Sequence, residues 1–186
     1  MKITEQGVHT DRKVRYAAIP RSLIFVTSPN PQSGQPEILL LKGAPDKRLW
    51  ANKYNGIGGH IEGDEDILAG ALRELEEETG LTGVELTLRG VINIFVGGPG
   101  DAPTEPTRPQ GILVFVFHGE TTQRTLRDSR EGRLGWFPLA QLRQLPLVDD
   151  LHQLLPLILE QDGFVYGHYR PQADGSMAYH FRTASR

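Results

Sequence analysis

The sequence contains no cysteine. That excludes a disulfide framework, a thiolate nucleophile and a zinc–thiolate centre. No apolar run approaches the length of a membrane span, and the first fifteen residues, polar and mixed in charge, hold no signal-peptide core. A cytoplasmic protein without membrane partners is expected. Excess positive charge is also missing: 20 Lys and Arg stand against 23 Asp and Glu, a net charge of −3. That argues against a nucleic acid polymer as partner. The apolar content of 38% excludes disorder, and 186 residues suffice for one domain with a sizeable core.

The small net charge hides a cancellation. Between Glu62 and Glu78 there are eight acids and one base, Arg73, a local charge of −7, so the remainder carries +4. The sequence over 65–79 reads as a helix. Ile67, Leu68, Ala71, Leu72 and Leu75 recur at three- and four-residue spacing and form one apolar stripe. Asp64 is placed to cap its start, with Glu65 and Asp66 in the first turn, and Gly80 suits its end. Gly70 is a weak helix former that only close packing would justify.

Elsewhere, 22–27 and 37–42 read as two strands of a hairpin with a long connection over 28–36. One long or two short strands are expected over 84–96, a loop over 97–111 and a strand over 112–117. Short helices are expected near 139–145 and 151–160, the second interrupted by Pro156, and a closing hairpin over 164–182. Trp136 and Phe137 read as core residues at a strand end. The order of strands and helices implies helices packed on a sheet, a mixed α/β sandwich.

Glu74, Glu77 and Glu78 sit at i, i+3 and i+4, so their carboxylates share one helical face. An all-oxygen donor set suits Mg²⁺ or Mn²⁺ better than zinc, and such ions commonly also bind substrate phosphates. A solvated acidic face is the plain alternative.

The wider spacing decides between them. Gly59, five residues, Glu65, seven residues, then Arg73-Glu74-Leu75, Glu77-Glu78, Gly80 and Leu81 resembles the Nudix box at all nine of its specified positions. Average residue usage gives such a match by chance roughly once in ten million chains. The resemblance implies the Nudix fold, an α/β/α sandwich (α+β in class) with a mixed central sheet. It places a single domain over 15–186 behind an N-terminal extension, 1–14. It also implies hydrolysis of a nucleoside diphosphate linked to another group. Glu74, Glu77 and Glu78 would bind the metal, Glu74 being one candidate general base, and the Gly58 carbonyl would be a further ligand. Glu65 and Arg73 would support them from behind. Glu131 stands where a late metal carboxylate is found in purine-triphosphate-cleaning relatives, or is a solvated loop acid.

The flanks are similar to those of 8-oxo-dGTP diphosphatases. In Tyr54-Asn55-Gly-Ile-Gly-Gly-His60, Asn55 would bond a purine edge or simply make a turn. In Leu145-Pro-Leu-Val-Asp149-Asp150, either aspartate would read the base or cap the following helix. Tyr54, His60 and Leu147 depart from the relatives, which have Trp, Lys and Trp there. Trp50 is an aromatic wall for the base or a packing residue. The expected substrate is a nucleoside triphosphate, an oxidised purine one included, cleaved to monophosphate and pyrophosphate by a monomer or homodimer. The alternatives are a Nudix hydrolase of a nucleotide sugar and a nucleotide-sensing Nudix domain without catalysis.

Overall fold

The computed structural model describes residues 16–46, 50–96, 111–127 and 132–184. The expected N-terminal extension, most of the 97–111 loop and Glu131 lie outside the described residues.

Eight strands form one sheet: β1 (Ala18–Pro29), β2 (Pro36–Gly43), β3 (Tyr54–Asn55), β4 (Leu86–Phe95), β5 (Gly111–Glu120), β6 (Gly132–Pro138), β7 (Phe164–Pro171) and β8 (Met177–Ala184). The order is β3-β2-β1-β5-β4-β7-β8, with β6 also paired to β2. The pairs β1·β5 and β4·β7 are parallel and the others antiparallel, so the sheet is mixed. Helix α1 (Ile67–Thr79) and helix α2 (Leu151–Leu159) supply the outer layers.

Side-chain alternation sends each strand into two cores. Phe25, Ile38 and Leu40 pack with Leu151, Leu154, Leu155 and Ile158 of α2. Ile24, Val26, Leu39 and Leu41 pack with Ala71 and Leu75 of α1. Both faces of β1 and β2 are covered, which is why those strands read as unbroken apolar runs. The expected three-layer α/β/α sandwich is borne out.

Several local expectations are corrected. Helix α1 begins at Ile67, because Asp66, not Asp64, is its cap: the Asp66 carboxylate accepts from the Leu68 and Ala69 N–H groups at 2.9 Å. The β1–β2 connection is shorter than expected, since β1 runs on to Pro29 and Asn30 closes the turn by accepting from Gln32 and Ser33. Of the two alternatives over 84–96 the structure has the single long strand, β4, with a bulge between Leu88 and Gly90. Trp136 and Phe137 do stand at a strand end, that of β6, and pack against opposite cores; the strand begins earlier than expected, at Gly132. A 3-10 turn, Leu139–Gln144, replaces the first short helix. Helix α2 runs through Pro156 and forfeits one backbone bond there. Four buried side chains hold it: Leu151, Leu154, Leu155 and Ile158.

Candidate functional site

The residues 56–61 lie along the edge of β1. The Ser22 N–H donates to the Gly59 carbonyl at 2.9 Å, and Ile24 and Ile57 exchange two backbone bonds. The Gly59 N–H donates to Ser22 Oγ and the Ile61 N–H to the Pro20 carbonyl. In a trans peptide C=O and N–H point oppositely. The carbonyls of Gly58 and His60 therefore face away from β1, and Arg73 Nη2 bonds the His60 carbonyl at 3.0 Å. Gly58 has φ of +149°, and a Cβ there would stand 2.2 Å from the Ser22 carbonyl oxygen. Only glycine permits this approach.

Helix α1 is set against that strand. A Cβ on Gly59 would lie 2.4 Å from the Glu74 carboxyl carbon, so the bare α-carbon makes room for the Glu74 side chain. Gly70 has the packing reason it needed: a Cβ there would meet the Glu65 carboxylate at 2.7 Å and Ile61 Cδ1 at 2.8 Å.

Arg73 ties the acids together. Its Nε donates to Glu65 Oε2 at 3.0 Å and its Nη2 to Glu65 Oε1 at 2.7 Å, a two-bond fork. Its Nη1 donates to Glu74 at 2.9 Å and to Glu77 at 3.3 Å. With the His60 carbonyl, all five N–H groups of the guanidinium are engaged. The fork holds the Glu65 carboxyl down at about 2, chiefly through the Arg73 hydrogen bonds. The same bonds raise the pKa of Arg73. Glu74 and Glu78 are partly buried and Glu77 is exposed. Among the described residues no three acids or histidines are gathered into a ready-made cation cage. The donor set nonetheless fits a hard divalent cation. Glu74, Glu77 and Glu78 share one helical face, the glycine strand lies against Glu74, and every donor is oxygen.

The two segments expected to meet a base are brought side by side. The Tyr54 N–H donates to the Pro146 carbonyl and the Val148 N–H to the Tyr54 carbonyl, both at 2.9 Å. Asn55 makes a local turn bond, its Oδ1 accepting from the Gly56 N–H at 2.8 Å. Asp149 is exposed and paired with Lys53 at 2.5 Å. Asp150 stands at the start of α2, but its side chain makes no capping bond. It is 8% exposed and accepts from the Tyr169 hydroxyl at 2.6 Å. Burial pushes the Asp150 carboxyl above its usual range, against the opposing pull of the tyrosine. Burial beside Asp150 likewise raises Tyr169. Trp50 is half-exposed in a turn closed by its own carbonyl, with φ of +59°, so it is no core residue. His60 projects to solvent, and its Nε2 lies 2.9 Å from Arg21 Nη2.

Tyr169, Lys53 and Arg21 were not singled out from the sequence. Each lies far along the chain from its partner, and no spacing rule links them.

A family model described as NUDIX domain matches residues 20–158. The chain is 33% identical over 150 residues to an oxidized purine nucleoside triphosphate hydrolase of Mus musculus, covering 80% of this chain and 88% of the relative. It is 29% identical over 147 residues to a protein of the same description from Danio rerio, covering 78% and 86%. Among solved structures, a MutT protein from Bacillus halodurans superposes with a TM-score of 0.70 at 21% identity, covering 88% of this chain and 97% of that one. The NUDIX domain of Shewanella oneidensis NrtR, complexed with ADP ribose, superposes with a TM-score of 0.64 at 20% identity, covering 86% and 98%. At those identities the two structures show likeness of fold.

Proposed function

The chain belongs to the NUDIX domain family and is a hydrolase of phosphoanhydride bonds, and on that premise we propose that it cleaves a purine nucleoside triphosphate to the monophosphate and pyrophosphate. The observation that carries the reading is the contact of Glu74 with the bare α-carbon of Gly59. It puts the acidic face of α1 against a strand whose glycines let a phosphate chain approach the backbone. The relatives from Mus musculus and Danio rerio, described as oxidized purine nucleoside triphosphate hydrolases, support the substrate class.

Glu74, Glu77 and Glu78, with the Gly58 carbonyl, would hold Mg²⁺ or Mn²⁺, and Glu131 would add a later carboxylate. Bound there, the cation neutralises phosphate oxygens and lowers the pKa of water. The protein groups do the rest. Arg73 fixes the direction of Glu74 and Glu77 and anchors the strand through His60. Glu65 holds Arg73 in turn. Glu74 would accept the proton of the attacking water. Asn55, Asp149 and Asp150 would read the base, Trp50 would shield it, and His60 would stand beside the phosphates. Asp149 is paired with Lys53, and Asp150 is steadied by Tyr169. Among the described residues no helix is long and apolar enough to cross a membrane.

Competition between dGTP, 8-oxo-dGTP and ADP-ribose, scored by product release with magnesium, tests the substrate. Preference for 8-oxo-dGTP supports the cleaning role. Equal rates on the first two refute it, and preference for ADP-ribose moves the substrate to another class.

A further inference from the structure

Arg73 has no N–H to spare for a substrate, since all five are bonded to Glu65, Glu74, Glu77 and the His60 carbonyl. A polyphosphate on the glycine strand would need another cation. One stands across that strand. Arg21 of β1 pairs with His60 in an isolated antiparallel bridge, and its Nη2 meets His60 Nε2 at 2.9 Å. A guanidinium only donates, so His60 Nε2 accepts. The imidazole thereby fixes the direction of the guanidinium. Among the described residues Arg21 Nε is shielded from solvent and donates to no acceptor. A charged donor left so is costly unless a ligand completes it.

The place along the strand says which part of a ligand Arg21 would meet. Asn55, beside the 146–150 segment, marks one end. Gly58, against the β1 backbone, and Gly59, against Glu74, lie in the middle. His60 and Arg21 come next, on the far side from Asn55. An extended chain rises ~3.3 Å per residue, so Asn55 and Gly59 stand about 13 Å apart along it. Arg21 also shares a sheet face with Leu23, two residues on, which packs with the core that holds Tyr54, Leu147 and Tyr169. Gly56 and Gly58 leave one face of the segment bare, while Ile57 between them turns into the core beneath α1. A nucleotide with its base at Asn55 would cross the strand at Gly59 and present the phosphates beyond the cleaved bond to Arg21.

We propose that Arg21, aimed by His60, is the binding residue for the leaving pyrophosphate arm of the substrate. The proposal rests on the nucleotide-hydrolase reading above and extends it to a residue on β1 outside the acidic helix. Arg21 touches the phosphates and His60 positions it.

The test is calorimetric binding of inorganic pyrophosphate and, separately, of dGMP, in magnesium buffer, with Arg21→Ala, Arg21→Lys and His60→Ala. Melting curves establish that each variant is folded. Arg21→Ala should weaken pyrophosphate at least about tenfold, as expected for lost charge-assisted bonds, and leave dGMP within about twofold. Arg21→Lys should recover part of the loss, because the charge remains and the fork does not. His60→Ala should weaken pyrophosphate by less than Arg21→Ala. Unchanged pyrophosphate binding in Arg21→Ala, or an equal loss for dGMP, overturns the assignment. If the unaltered protein binds neither ligand, the nucleotide reading itself fails, and Arg21 falls with it.

Discussion

Arg73 and Glu65 meet in a two-bond fork, Nε to Oε2 at 3.0 Å and Nη2 to Oε1 at 2.7 Å, although Glu65 lies before the helix that carries Arg73. The fork ties the approach to α1 onto the helix and leaves Nη1 for Glu74 and Glu77. Glu65, held at about 2 by this fork, binds its proton less readily when folded than when unfolded. Its contribution to stability is therefore complete above the ordinary glutamate pKa of about 4.3 and is lost as pH falls through about 2. Denaturant midpoints measured from pH 5 to pH 2 should fall less steeply in Glu65→Gln than in the unaltered protein. Parallel profiles would detach Glu65 from the network.

Gly59→Ala should act on catalysis more than on folding. The new methyl would lie 2.4 Å from the Glu74 carboxyl carbon, so the acid must move. Displacement of a catalytic group by about 1 Å can cost about 10²-fold in rate. Steady-state rates and a melting curve on the same preparation check this. A fully active Gly59→Ala would remove Glu74 from the reaction.

Asp150 and Tyr169 give a pair of opposite substitutions. Tyr169→Phe leaves a buried carboxylate without its donor and should cost about 1–3 kcal/mol in chemical denaturation. Asp150→Asn keeps an acceptor for Tyr169 and discards the charge that burial disfavours. Because the folded carboxyl has a raised pKa, stability of the unaltered protein should decline as pH rises from below about 4 through that raised value. Asp150→Asn should lack this decline. A profile unchanged by the substitution would contradict the burial of a charge at Asp150.

What the sequence disclosed follows from distance along the chain. The box from Gly59 to Leu81 spans one extended segment and one helix, so its spacing is legible: Glu74, Glu77 and Glu78 share a face of α1, although among the described residues no three acids are gathered into a cation cage. The start of α1 is not legible in the sequence because Asp64, Glu65 and Asp66 are all acids, and only geometry shows that Asp66 caps while Glu65 turns to Arg73. Only the end of strand β6 is legible in the sequence, because Gly132, Arg133 and Gly135 interrupt the apolar alternation that Trp136 and Phe137 continue. Asp150 meets Tyr169 only after β7 folds back across α2, and Arg21 meets His60 only through the sheet. Such pairs carry no local signature.

Glu77→Gln should abolish most turnover while leaving the fold intact, since Glu77 is exposed and carries one outer bond of Arg73. Removing divalent ions with a chelator should do the same to the unaltered protein, and adding magnesium should restore it. Full activity in either case would contradict the assignment of α1 as the metal face.

Product identity tests the central claim most directly. With dGTP and magnesium, ion chromatography should show dGMP and pyrophosphate in equal amounts and no dGDP. Release of dGDP with inorganic phosphate, or no product from any nucleotide offered, would contradict it.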